Sequence, residues 1–183
     1  MIRRAFLALA LAAPAGPASA QDPYTVKPIV KAIREGDEEK VRQALLKGEN
    51  PNQSDFSGQP LLMIAAAAGQ LAVVETLLKG GAVPDATDRD GYTSMLRAAE
   101  RGDVDLVEML LRRGAKPNAQ NRQGTTALIV AARQGYAEVV KALLDKKADP
   151  NLADFTGRTP MSYARQSGRP TIEATLRRAG GRE

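Results

Sequence analysis

Two kinds of apolar cluster alternate along this chain. One is a pair of adjacent alanines, Ala65-Ala66, Ala98-Ala99 and Ala131-Ala132, with a lone Ala164 after them. The other is a stripe, Val73, Val74, Leu77 and Leu78, whose i, i+3, i+4 spacing puts one apolar face on a helix. Leu110-Leu111 and Leu143-Leu144 repeat the end of that stripe. The pattern predicts pairs of short helices. The first helix of a pair runs from about Leu61 to Ala68, with counterparts starting at Ser94, Ala127 and Pro160, and the second carries the stripe. Alanine pairs suit a face that meets its neighbour closely, where a larger side chain would hold the helices apart.

The punctuation keeps the same phase. Gly58, Gly91, Gly124 and Gly157 are each 33 residues apart, and Gly36, Gly69, Gly102, Gly135 and Gly168 form a second series with the same step. The second series predicts helix ends in a left-handed conformation that glycine reaches most easily. Thr93, Thr126 and Thr159 stand where a hydroxyl accepts from free backbone N–H groups at a helix start, and Pro160 follows at the first helical position. Gly81-Ala82-Val83-Pro84-Asp85, Gly114-Ala115-Lys116-Pro117-Asn118 and Lys147-Ala148-Asp149-Pro150-Asn151 are variants of one turn. Asp55, Asp88, Asn121 and Asp154 each lie three residues before a tip glycine and predict β-hairpin-like fingers projecting beyond the helices.

A period of 33 in this arrangement resembles the ankyrin repeat. Gly91-Tyr92-Thr93-Ser94-Met95-Leu96-Arg97-Ala98-Ala99 and Gly124-Thr125-Thr126-Ala127-Leu128-Ile129-Val130-Ala131-Ala132 carry the likeness most fully. It implies an all-α repeat solenoid of about five units, spanning 22–54, 55–87, 88–120, 121–153 and 154–183. The chain departs from the family pattern in places. Met63, Leu96, Ile129 and Ser162 replace the family histidine, Pro60 replaces a threonine cap, and Lys147 replaces a turn glycine. Thr25 stands where the first finger's glycine would be, and Glu173 and Arg177 make the last unit polar outside, as a capping unit must be.

The first twenty residues read as an address. Arg3-Arg4 precede an apolar run from Ala5 to Ala13, then helix breakers and Ala18-Ser19-Ala20, which predicts a cleaved signal peptide and a mature chain starting at Gln21. The apolar run is about half the length that spans a bilayer. Periplasmic delivery is the expectation; the arginine pair leaves the general secretory and twin-arginine routes both open.

Composition narrows the chemistry. The 183 residues contain no cysteine and no histidine, which removes disulfides, thiolate nucleophiles and the commonest general base and metal ligand. The net charge of +5 is weaker than the concentrated excess of a nucleic-acid binder. Asp88-Arg89-Asp90-Gly91 fails as a calcium loop, because Ala86 and Arg97 fall on ligand positions. Asn52-Gln53-Ser54 matches a glycosylation pattern that carries no weight here, and no phosphate-cradling glycine motif is present. Glu38-Glu39 and the pair Asp103 and Asp105 open predicted second helices, where acids suit the dipole.

The expectation is therefore a monomeric binding protein with no enzyme activity, no cofactor, no metal, no nucleic acid and no membrane partner after cleavage. The resemblance implies that a partner protein meets the finger tips and the exposed side of each first helix. That places Phe56, Arg89, Tyr92, Arg122, Phe155 and Arg158 on fingers and Glu100, Arg101, Arg133 and Gln134 on helices. Arginine outnumbers acid over this surface, which points to a partner with an acidic surface. Three readings of function remain: a module that holds or protects a periplasmic partner, an inhibitor that plugs a toxin, and a carboxylate enzyme. Small exported bacterial proteins of this type have been linked to support of redox enzymes such as catalase, so the resemblance implies an oxidative-stress setting for the first.

Overall fold

A computed structural model describes residues 27–182. The expected signal segment 1–20, its cleavage point and residues 22–26 at the start of the first unit lie outside them. Ten helices follow one another in pairs: α1 (Pro28–Glu35) and α2 (Glu38–Leu46), α3 (Leu61–Ala67) and α4 (Leu71–Lys79), α5 (Ser94–Arg101) and α6 (Val104–Arg112), α7 (Ala127–Gln134) and α8 (Ala137–Asp145), α9 (Pro160–Gln166) and α10 (Pro170–Arg178). The odd-numbered helices pack on one another in one layer and the even-numbered helices in a second. This is the predicted all-α solenoid.

The core lies between the layers. Ala65, Ala66, Ala98, Ala99, Ala131, Ala132 and Ala164 have no exposed surface, so the odd-numbered helices meet with nothing larger than a methyl group at these points. Leu77, Leu110 and Leu143 on the even-numbered helices are also fully buried, each a contribution of about 1.5–3 kcal/mol. The second leucine of each pair is less constant: Leu78 is buried, whereas Leu111 and Leu144 only pack against the core margin. Met63, Leu96 and Ile129, at the family histidine positions, are buried too, and hydrophobic contact replaces the polar network there.

Local chemistry sets where each helix begins and ends. Thr93, Thr126 and Thr159 accept from the N–H groups of Leu96, Ile129 and Ser162, while Pro60 gives α3 no side-chain cap. Lys147, in the turn where sibling units have glycine, has φ 64 and is the one non-glycine residue in that conformation among the described residues.

The turns after the even-numbered helices are stitched from unit to unit. The Asn52 amide donates to the Gly81 carbonyl at 3.0 Å and accepts from the Val83 N–H at 2.7 Å. Asp85 accepts from Lys116 N–H, Asn118 from Asp149 N–H, and Asn151 from Arg182 N–H. The Asn52 side chain in the glycosylation-like tripeptide thus has a structural task. At the end of the stack, α10 buries only Ile172 and Leu176, and Arg177 is exposed, as a polar cap requires. At the other end of the stack Leu46 on α2 is 77% exposed.

Candidate functional site

Each finger is a tight turn organised by one side chain. The Oδ1 of Asp55, Asp88, Asn121 and Asp154 accepts from the backbone N–H groups two and four residues later, at 2.9–3.1 Å. A short polar side chain that caps its own turn is what aspartate and asparagine do best. The fingers carry almost no ladder pairing: isolated bridges join Ser54 to Pro60 and Thr87 to Thr93.

The later fingers also grip one another. Arg122 N–H donates to the Asp90 carbonyl and Phe155 N–H to the Gln123 carbonyl, both at 3.0 Å. That approach needs glycine at the tip: a Cβ on Gly124 would lie 2.8 Å from the Phe155 nitrogen, and one on Gly91 would lie 3.1 Å from the Arg122 nitrogen. Side chains from the odd-numbered helices reach the same finger bases, so fingers and helices share one face.

The second oxygen of the finger acid finds a different partner in each unit. Asp55 Oδ2 accepts from Arg34, reaching across from the preceding unit at 3.1 Å. Asp88 Oδ2 meets Arg97 of its own unit at 3.4 Å, and Arg97 also donates to Glu100 at 3.0 Å while lying 4.1 Å over the Tyr92 ring. Asp154 Oδ2 accepts from the Tyr163 hydroxyl at 2.7 Å. In the fourth finger Asn121 presents an amide instead, and its buried Nδ2 has no partner.

These contacts set the electrostatics. Burial pushes the Asp154 carboxyl up, but hydrogen bonds from the Thr156 and Tyr163 hydroxyls and from the Arg158 and Thr156 N–H groups outweigh it and hold the pKa at about 2. The bond to Asp154 in turn pushes the Tyr163 hydroxyl up, and burial adds to the shift. For Asp55, burial is likewise overridden by Ser57, Gln59 and Arg34, and the carboxyl stays low. Asp154 and Asp55 are structural carboxylates, and Asp88, with one oxygen on the finger N–H groups and the other on Arg97, holds its turn in the same way.

Most acids at the starts of the second helices are occupied as well, while the Asp105 side chain is exposed. Asp37 and Asp103 cap α2 and α6, Glu38 accepts from Thr76 at 3.0 Å, and Glu39 pairs with Arg42. No cluster of three potential metal ligands occurs among the described residues, and no helix there is long and apolar enough to cross a membrane.

The predicted surface residues divide by what they do. Phe56 and Phe155 stand 56% and 73% exposed, the two most exposed aromatics of the finger tips. Arg122, Arg133, Gln134 and Arg158 are exposed. Tyr92 is half-buried beneath Arg97, and Glu100 is tied to the same arginine. Arg89 runs over Gly58, and Arg101 folds back over Gly69 to donate to the Ala67 carbonyl at 3.2 Å. Arg101 therefore serves as a tie between units besides presenting an exposed edge. Sequence reasoning passed over Arg97 and Tyr163. The signal was their place nine residues after the finger acid, a row held elsewhere by Ile64 and Val130.

A stack of helix pairs with a row of fingers on one face defines a repeat protein built as an interaction surface. Residues 29–121 and 95–180 match the family model described as ankyrin repeats (3 copies), and the chain belongs to the ankyrin-repeat family. Ankyrin repeats serve as protein–protein interaction modules and are typically not enzymes. No curated protein matches this chain.

Proposed function

We propose that this is a periplasmic ankyrin-repeat protein that holds or protects a partner protein on its finger face. The reading rests most on one observation: Phe56 and Phe155 are solvent-exposed at finger tips on the face where Arg122, Arg133 and Arg158 are also exposed. Aromatic and arginine side chains dominate the energetics of protein interfaces, and the two rings keep most of their surface free even though Phe155 also lies against Gly124 of the preceding finger. The partner presents an acidic surface, complementary to those arginines.

Periplasmic residence follows from the charged, apolar and small-residue order of the first twenty positions. The oxidative-stress setting follows from the likeness to small exported ankyrin proteins, with an oxidant-handling enzyme as the protected partner. Inhibition of a toxin would use the same face and differs in demanding one tight cognate.

The test is affinity capture from a periplasmic extract at native abundance. The wild-type protein should enrich one or a few proteins, and a Phe56→Ser/Phe155→Ser variant with an unchanged melting curve should not. Equal enrichment by both would remove the finger face from the account. Mass measurement of the exported chain should give a start at Gln21; an uncleaved chain in the cytoplasm would overturn the location.

A further inference from the structure

Two stations on the finger face use the same positions with their chemistry exchanged. Tyr92 and Arg97 in the third unit correspond to Arg158 and Tyr163 in the fifth, each displaced by two periods. In the third unit the arginine is closed off: Arg97 lies over Tyr92 and meets both Asp88 and Glu100. In the fifth unit the finger acid, Asp154, takes the tyrosine hydroxyl instead. Arg158 lies 5.8 Å from the Tyr163 ring centroid and beside its hydroxyl, and pairs with no carboxylate among the described residues. From the fourth unit, in the row that Glu100 holds one period earlier, Arg133 lies 5.7 Å from the same centroid. It too pairs with no carboxylate among the described residues. Two exposed guanidinium groups thus approach one ring that a buried acid holds in place.

The surroundings repeat the imbalance. Residues 121–182 contain eleven lysines and arginines against five acids, whereas residues 27–120 contain thirteen against fourteen. Among the described residues, ten ion pairs lie before residue 121, and one, Arg165 with Glu173, lies after it. Guanidinium groups match carboxylates in planar, two-bonded geometry, and a cation held against an aromatic face keeps its edge N–H groups free.

We propose that Arg133 and Arg158, both beside Tyr163, clamp carboxylates of an acidic segment of a partner protein. The proposal rests on the finger face being the binding face and specifies where along it the charge is read. Phe155, exposed on the same finger as Arg158, supplies an apolar contact that a bare anion would not use. In the third unit Asp90 and Glu100 interrupt the run of cations along the face, Glu100 being already paired with Arg97. The fitting occupant is a short acidic stretch flanked by neutral or basic residues, not a nucleic acid or a membrane.

The test measures binding of a fluorescent acidic peptide, alternating glutamate and serine over about twelve residues, to the full mature chain at about 20 mM salt, where screening is weak. Arg133→Gln/Arg158→Gln should weaken binding by roughly tenfold or more, since charge-assisted bonds are lost. Arg177→Gln/Arg178→Gln, on α10, removes the same charge and should change it less than about twofold. Arg133→Lys/Arg158→Lys keeps the charge without the planar fork and should fall between them. Circular dichroism melts establish that all three variants fold.

Equal losses in both glutamine pairs would reduce the effect to a general field and overturn the clamp. So would binding of inorganic phosphate or phosphatidylglycerol vesicles that depends on Arg133 and Arg158 while the peptide fails to bind. If the peptide does not bind but Phe56→Ser/Phe155→Ser still abolishes partner capture, only the clamp falls and the binding face stands.

Discussion

Units one to three and units four and five share one scaffold but differ in how much of their charge is paired. In the first three, many cations are laced to acids, Arg34 to Asp55, Arg97 to Asp88 and Glu100, Arg113 across units to Glu75, while Arg89 and Arg101 lie over glycines of the preceding unit. In the last two, Arg122, Arg133 and Arg158 stand exposed on the finger face and pair with no carboxylate among the described residues. Packing beneath is the same in both regions, with Leu110 and Leu143 equally buried. A repeat protein can therefore vary its surface without disturbing its core, because each unit's burial depends on its neighbours in the stack and not on the outward row.

The largest expected effect tests the shared half of that comparison. Leu110→Ala and Leu143→Ala should each cost roughly 2–5 kcal/mol in urea unfolding, since both leave a cavity in a fully buried site. A cost below half a unit at either position would mean the two regions are not built alike.

Next come the finger acids. Asp154→Asn keeps an oxygen for the Thr156 and Arg158 N–H groups but loses the charged acceptor of the Tyr163 hydroxyl, at about 1–3 kcal/mol. Asp88→Asn should cost less, because Arg97 retains Glu100. Reversal of that order in chemical denaturation would break the contrast drawn between the third and fifth fingers.

Acid titration sharpens the same contrast. The folded pKa of Asp154, about 2, is below its ordinary 3.8, so its contribution to stability is present above pH 3.8 and is lost as pH falls toward 2. Melting temperature should decline through that window, and Asp154→Asn should flatten the decline. An unchanged acid limb in the variant would show that the Asp154 carboxylate is not what the fifth finger depends on.

The smallest effect belongs to the turn between units four and five. Lys147→Gly should raise stability by roughly 0.5–1 kcal/mol, because φ 64 suits glycine better than lysine. A melting temperature that falls instead would mean Lys147 makes a favourable contact that outweighs its backbone strain.

The fold was legible because it is written in period: alanine pairs, leucine stripes, threonine caps and tip glycines each recur in step, and helices of that length can bury their apolar faces only against the next unit. Exposed finger aromatics and arginines could be placed by register alone. What register could not supply was pairing. Arg97 and Tyr163 occupy one repeated position, and nothing local says that one closes against two acids while the other leaves two arginines open. That outcome depends on which side chains from a neighbouring helix or finger come within hydrogen-bond reach, a matter of a few ångströms across units. The sequence by itself determined the stack, its phase and the row of outward residues; only the tertiary structure decided which of those residues are spent on one another, because electrostatic contact falls off over distances that a linear repeat does not encode.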